Sequence, residues 1–214
     1  HRLGALDNAL VFQPLAHIDK KEERVWAAGW IHGILLGENV DVTPEIKDVV
    51  WQALESLAIV PQEQRTLTGL KALIQDTAIR RAIDTFTLNG PFGFILDADQ
   101  ETVSDAKWQC FEMAEVMAMP EVVAPVLVYI FHQLEKRFDG SPTLLILDEA
   151  WLFLDHPLFA SKIREWLKTL RKLNVSVVFA TQSVDDTLKS EICTALIESC
   201  ASRVFLPNDR ALEP

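Results

Sequence analysis

Leu144-Leu145-Ile146-Leu147-Asp148-Glu149-Ala150-Trp151 is the stretch that decides the fold. Four apolar residues run straight into two adjacent carboxylates. The run reads as a strand buried on both faces, as in a parallel sheet. The carboxylates fall where that strand ends, and open α/β sheets hold ligands at the carboxyl ends of their strands. The plainer alternative is a surface strand that closes on a solvated Asp-Glu pair.

The next segment favours the ligand site. Pro157 to Lys172 has a helical pattern, with Phe159, Ile163, Trp166, Leu167 and Leu170 at spacings of three and four. Asn174 leads into a second apolar run, Val175 to Ala180, which ends at Thr181-Gln182-Ser183. Strand, helix and strand in this span make a βαβ unit. Such units are right-handed and parallel, so both strands end on one sheet edge. Gln182 is thereby expected beside Glu149. The first strand then has the form of a Walker B element. Asp148 would orient Mg²⁺, directly or through its waters, and Glu149 would polarise the attacking water. Gln182 would hold that water and sense the terminal phosphate, as a Gln does in other P-loop enzymes. Thr181 is the nucleotide-side candidate next to it. Alternatively, Thr181 and Ser183 merely cap a following helix.

These motifs are joined by others in a fixed order. Glu165-Trp166-Leu167-Lys168-Thr169-Leu170-Arg171-Lys172-Leu173-Asn174 separates Asp148-Glu149-Ala150-Trp151 from Ala180-Thr181-Gln182-Ser183, and Phe205-Leu206-Pro207-Asn208 follows. Upstream stand Arg65-Thr66-Leu67, Phe111-Glu112-Met113, Tyr129-Ile130-Phe131 and Asp139-Gly140-Ser141-Pro142-Thr143. In this order they resemble the conjugative-transfer ATPases of type IV secretion systems, the TrbE/CagE type. The resemblance implies an α/β fold: a parallel, RecA-like P-loop sheet flanked by helices, with a mostly helical inserted subdomain. It also implies ATP and Mg²⁺ as ligands and self-association into a ring, a hexamer in the simplest case. Other inner-membrane components of the secretion system would be its partners, at the cytoplasmic face of the bacterial inner membrane. Arg171 is the candidate for a charge that reaches a neighbouring subunit's phosphates, although a surface salt bridge would equally explain it.

The chain departs from this pattern in one respect. No Gly-x-x-x-x-Gly-Lys-Ser/Thr sequence occurs in it. The backbone nest and lysine that would cradle phosphates are therefore missing from these residues. The expectation is an internal piece of a larger ATPase, inactive by itself. Two other functions compete: a DNA-translocating ATPase of the coupling-protein type, and a non-catalytic assembly module.

Charge disfavours the first of these. The 214 residues carry 31 Asp and Glu against 20 Lys and Arg, a formal net charge of −11. Broad nucleic-acid binding needs cations gathered on one face, so direct binding of nucleic acid is not expected. Lys162, Arg164, Lys168, Arg171 and Lys172 do gather on the crossover helix, where they read as a solvated face. Three cysteines without a CxxC spacing read as reduced core thiols. Scattered histidines give no structural metal site. The longest apolar stretch, Val122 to Phe131, is too short to span a bilayer.

Along the chain, residues 1–19 would open the ATPase core, with a short strand over Asn8 to Phe12. Residues 20–88 would form the helical subdomain. Its helices are expected over Lys20 to Leu36, from Thr43-Pro44 onward, over Leu67 to Gln75 and over Thr77 to Phe86. In the first of them Val25, Ala28, His32 and Leu35 would share one face. Residues 89–214 would complete the core. They would hold short strands at Gly93 to Asp97, Lys107 to Met113 and Arg203 to Leu206, and helices at Pro120 to Arg137 and Asp185 to Ser199.

Overall fold

A computed structural model describes residues 11–103, 106–149, 157–182 and 193–207. The chain forms two compact units, His1–Phe131 and His132–Pro214.

The first unit is helical. Helix α1 spans Lys21–Gly37, α2 Pro44–Ala58, α3 Leu67–Leu73 and α4 Thr77–Asp84. Their starts are written in the sequence. Thr43 accepts a hydrogen bond from Ile46 N with Pro44 at the first helical position. Thr66 caps α3 through Gly69 N, and Asp76 caps α4 through Ala78 N and Ile79 N. The apolar stripes meet in one core containing Ile31, Leu35, Leu54, Leu67, Leu70 and Ile79. Val25 does not join it. It is 55% exposed, although its spacing places it beside Ala28 and Leu35.

Polar side chains stitch this core shut. Arg65 donates to the carbonyls of Val60 and Ala16, at 3.0 and 2.9 Å, and pairs with Asp19. Asp97, only 1% exposed, accepts from Thr68 N at 3.0 Å, from Leu88 N at 2.7 Å and from the Thr68 hydroxyl. Glu101 accepts from Gln13 N at 3.3 Å and from the buried Tyr129 hydroxyl. The Arg65-Thr66-Leu67 and Tyr129-Ile130-Phe131 motifs thus act in packing.

Two expected strands are corrected here. Gly93–Leu96 is a single helical turn, α5, with Asp97 N bonded to Gly93 O at 3.0 Å. A Cβ at Gly93 would stand 2.0 Å from Thr87 O, so backbone contact fixes this turn. Residues 107–113 contain a lone bridge residue, Glu112, instead of a strand. Helix α6, Ala114–Met117, follows, and Glu112 Oε1 accepts from Ala114 N at 3.3 Å. The strand expected over Asn8 to Phe12 lies largely outside the described residues. Its last residue bonds in ladder fashion, Phe12 N to Ile95 O at 2.8 Å and Ala98 N to Phe12 O at 3.2 Å. Helix α7, Pro120–Glu135, turns Val123, Val126, Leu127, Ile130 and Phe131 inward, and its Pro125 carbonyl accepts from Trp30 Nε1 at 3.0 Å.

The second unit contains the parallel sheet. Strand β1, Thr143–Asp148, pairs in parallel with β2, Val175–Ala180. Between them run α8, Pro157–Thr169, and a 3₁₀ turn, Leu170–Leu173. Asn174 then takes a left-handed conformation at φ 59, which asparagine tolerates better than most residues. This is the α/β crossover expected from the sequence. The expectation of burial on both faces is corrected. Leu145, Leu147, Val177 and Phe179 share a partly buried face, whereas Leu144, Ile146 and Val178 are 58%, 53% and 46% exposed on the other. Among the described residues no helix covers that second face.

The last helix, α9, is Cys193–Ser199; the expected earlier turns, from Asp185 to residue 192, lie outside the described residues. Residues 203–206 form no strand, and Val204, Phe205 and Leu206 are 84%, 77% and 81% exposed. Their β-forming composition finds no edge to pair with among the described residues. The three cysteines form no disulfide among the described residues, and they are not core thiols: Cys110 is exposed and Cys193 and Cys200 are half-buried.

Candidate functional site

The register of the two strands builds the site. Thr143 pairs with Val175 and Asp148 with Ala180, so both strands end level on one edge. Paired strands lie about 4.8 Å apart. Residues one step past the pair, Glu149 and Thr181, are therefore near neighbours, with Gln182 one residue further. The structure brings Asp148, Glu149, Thr181 and Gln182 to one carboxyl edge, as the crossover predicts. Asp148, Thr181 and Gln182 are exposed and Glu149 is half-buried.

Glu149 carries a signal that sequence pattern alone does not reveal. Its φ is +49, in the left-handed region. The other two non-glycine residues there among the described residues, Asn39 and Asn174, are of the type that accepts it. Glutamate does not, and such backbone strain gathers at functional sites. The chain thus turns sharply off the strand at the residue assigned to the water.

Arg171 stands apart from this group. It is exposed in the 3₁₀ turn that precedes β2, at the amino edge of the sheet. The length of β2 separates it from Gln182, about 17 Å of extended chain. Within one protomer it therefore does not reach the carboxylate edge.

Lys162 is not part of a freely solvated face. Its ammonium contacts Glu135 Oε1 at 2.6 Å and Glu165 Oε2 at 3.2 Å. Burial by itself would lower its pKa, but the hydrogen bond and charge of Glu135, with those of Glu165, hold it above the usual lysine value. Trp166 Nε1 donates to the same Glu135 oxygen at 2.8 Å. This network fixes α8 to the end of α7. The i, i+4 spacing of Lys162 and Trp166 was its only trace in the sequence.

The donor set fits Mg²⁺ and not a softer metal. It consists of two carboxylates, a hydroxyl and an amide, all oxygen donors. No group of three or more His, Cys, Asp or Glu that could hold a metal occurs among the described residues. Mg²⁺ is usually bound by one or two carboxylates together with substrate phosphates and water.

Comparison with known proteins decides the family. A model described as the TraG P-loop domain matches residues 75–211, well over half of the chain. The chain belongs to the TraG P-loop domain family. The match takes in β1, the crossover, β2 and the carboxylate edge. Among curated relatives of this family member, a probable conjugal transfer protein TrbE of Sinorhizobium fredii is 42% identical over 207 residues, covering 96% of this chain and 31% of that protein. The conjugal transfer protein TrbE of Rhizobium radiobacter is 42% identical over 212 residues, covering 99% and 26%. The type IV secretion system protein virB4 of Bartonella henselae is 28% identical over 203 residues, covering 92% and 26%. The chain spans between a quarter and a third of the length of these relatives. The resemblance drawn from the ordered motifs is thereby shown. No helix among the described residues is long and apolar enough to cross a membrane.

Proposed function

We propose that this chain belongs to the ATP-hydrolysing motor of a type IV secretion or conjugative-transfer system, and that Asp148, Glu149, Thr181 and Gln182 form its hydrolytic edge. The observation that supports this most is the register Asp148 to Ala180, which levels the carboxylates with the Thr-Gln pair. Asp148 and the Thr181 hydroxyl would face the nucleotide. Mg²⁺, when bound there, would neutralise charge developing on the phosphates. Glu149 would take the proton of the attacking water. Gln182 would orient that water by its amide. Arg171 would serve a neighbouring subunit, because it lies at the opposite edge from its own protomer's carboxylates. The ring, its partners at the inner membrane and the division into residues 1–19, 20–88 and 89–214 belong to the same proposal.

General-base removal costs about 10²- to 10⁴-fold. In the intact protein Glu149→Gln should lose hydrolysis by about that factor and keep nucleotide binding, since the amide preserves shape. Asp148→Ala should weaken Mg²⁺-nucleotide binding as well. Equal loss of binding in both would refute the division of roles. The 214-residue chain by itself should not turn over, because nothing in its sequence holds the phosphates in line. Turnover that disappears in Glu149→Gln would contradict this.

A further inference from the structure

We propose that the outer face of α1 is a contact by which two copies of this protein pair antiparallel about a two-fold axis. Helix α1 turns Ala27, Ile31 and Ile34 into the core of the first unit. On the side turned away from them run Val25, Gly29, Gly33 and Leu36, at spacings of four, four and three. All four are exposed, and the two large ones, Val25 and Leu36, are 55% and 60% in solvent. Gly37 extends the glycine row by one more turn. An apolar seam of this spacing is how a helix meets another helix.

The glycines sharpen this reading. Apart from proline, glycine is the least favourable residue in a helix interior, because it has the most backbone freedom to lose. Nothing in the protomer requires it on α1. A Cβ at Gly29, Gly33 or Gly37 would meet no atom of the described residues within 4 Å. Gly69, Gly90 and Gly93 differ, since a Cβ at each would stand 2.4, 2.1 or 2.0 Å from a backbone oxygen of its own chain. There glycine admits a neighbouring backbone. On α1 the backbone to be admitted is not the protomer's own. Glycines four apart let the axes of two helices approach closely.

The seam selects a second copy of itself. It reads large, small, small, large from either end. Turned end for end, it lays Val25 of one copy beside Leu36 of the other and Gly29 beside Gly33, and does so twice, as a two-fold contact demands. The charges at the two ends of α1 agree. Lys20 and Lys21 stand at its start with Glu22, whereas Glu38 and Asp41 follow its end. Lys20, Lys21 and Asp41 are exposed, and Glu38 is half-buried. None of these five forms an ion pair among the described residues. An antiparallel pair brings the two lysines to the two carboxylates, whereas a parallel pair sets like beside like. The last turn of α1 has no basic residue of its own, so those lysines also complement the negative end of the helix dipole. The 17 residues of α1 make a seam about 25 Å long. That is a small interface, of the weak and concentration-dependent kind. A two-fold pair is closed, so it joins copies in twos and adds to a head-to-tail ring without building one.

The inference goes beyond the hydrolytic edge and the ring, and the experiment keeps them apart. Sedimentation velocity on the full-length protein over a concentration series gives the association constant. Gly29→Gln/Gly33→Gln should weaken association about tenfold or more. Its melting temperature should hold or rise, because glutamine is the better helix former. Lys20→Glu/Lys21→Glu and Glu38→Lys/Asp41→Lys should each weaken association, and the combined variant should recover most of the loss, because the opposed signs are exchanged. Direction is read by disulfide formation between two differently tagged copies, above the background of the unsubstituted protein. Val25→Cys should cross-link to Leu36→Cys and not to a second Val25→Cys copy. A cross-link between two Val25→Cys copies alone overturns the antiparallel pair. Association unchanged in the glycine variant with a lowered melting temperature gives the face to another segment of the same chain. Association and melting both unchanged give it to a different protein. Either result overturns the contact and leaves the ring standing. If the wild type never associates, both fail.

Discussion

The helical unit and the sheet unit spend their apolar residues differently. In the first, Leu54, Leu67, Leu70, Ile79 and Ile83 are wholly buried, and Asp97 and Glu101 join distant segments. In the second, Leu144 and Ile146 of β1 stand more than half exposed, on the strand that leads to the carboxylates. Packing and chemistry are therefore separated. The well-filled core contains none of the proposed hydrolytic residues, and the strand that carries Asp148 has one uncovered face. In the proposed role, β1 needs its end in the right place more than it needs its middle enclosed within these residues.

The largest expected effect tests that contrast directly. Leu54→Ala, in the filled core, should cost about 2–5 kcal/mol. Ile146→Ala, with half its surface already in water, should cost less than about 1.5 kcal/mol. Urea denaturation of both variants decides. Equal losses would mean that the sheet is covered as well as the helical core is.

A smaller effect is expected at the network joining α8 to α7. Trp166→Phe retains the ring against Phe138 but removes the donor to Glu135. The loss should be about 1.5–3 kcal/mol, the usual range for a hydrogen bond to a charged group. A neutral outcome would leave the Lys162 pair sufficient to hold α8 in place.

The smallest effect is a matter of pH. His32 is half-buried with Nε2 unpartnered, and burial, with Lys47 nearby, lowers its pKa. The folded state therefore resists charging it. As pH falls through the unfolded value, about 6.5, the unfolded chain binds more protons and stability declines. The decline should level off below the folded pKa. His32→Gln should flatten this part of the curve in melting temperature against pH. An unaltered slope would assign it to other groups.

How much of this was legible depended on the kind of signal. Thr43-Pro44 and the stripe from Val50 to Leu57 are local, and α2 forms where they place it. The two apolar runs around α8 were legible because a crossover of that length admits few topologies. Gly93 to Asp97 misled because a short apolar run has no period to tell strand from helix. Its helical turn is set by close contact with Thr87, a tertiary fact. Val204 to Leu206 misled because β-propensity records fitness for a pleated surface, not the existence of a partner edge. At the proposed site, the common edge at which the two strands end was legible. The left-handed turn at Glu149 was not, because glutamate, unlike glycine or asparagine, gives no sign of such a backbone in a sequence.

That turn has a consequence for anyone redesigning this protein. An asparagine fits the left-handed region better than a glutamate, so Glu149→Asn should relax the backbone and raise the melting temperature slightly. The same change removes the proposed proton acceptor. On the proposed role of Glu149, thermal robustness and turnover pull in opposite directions at this position. A library screened for heat resistance alone would be expected to drift away from the proposed proton acceptor at this residue.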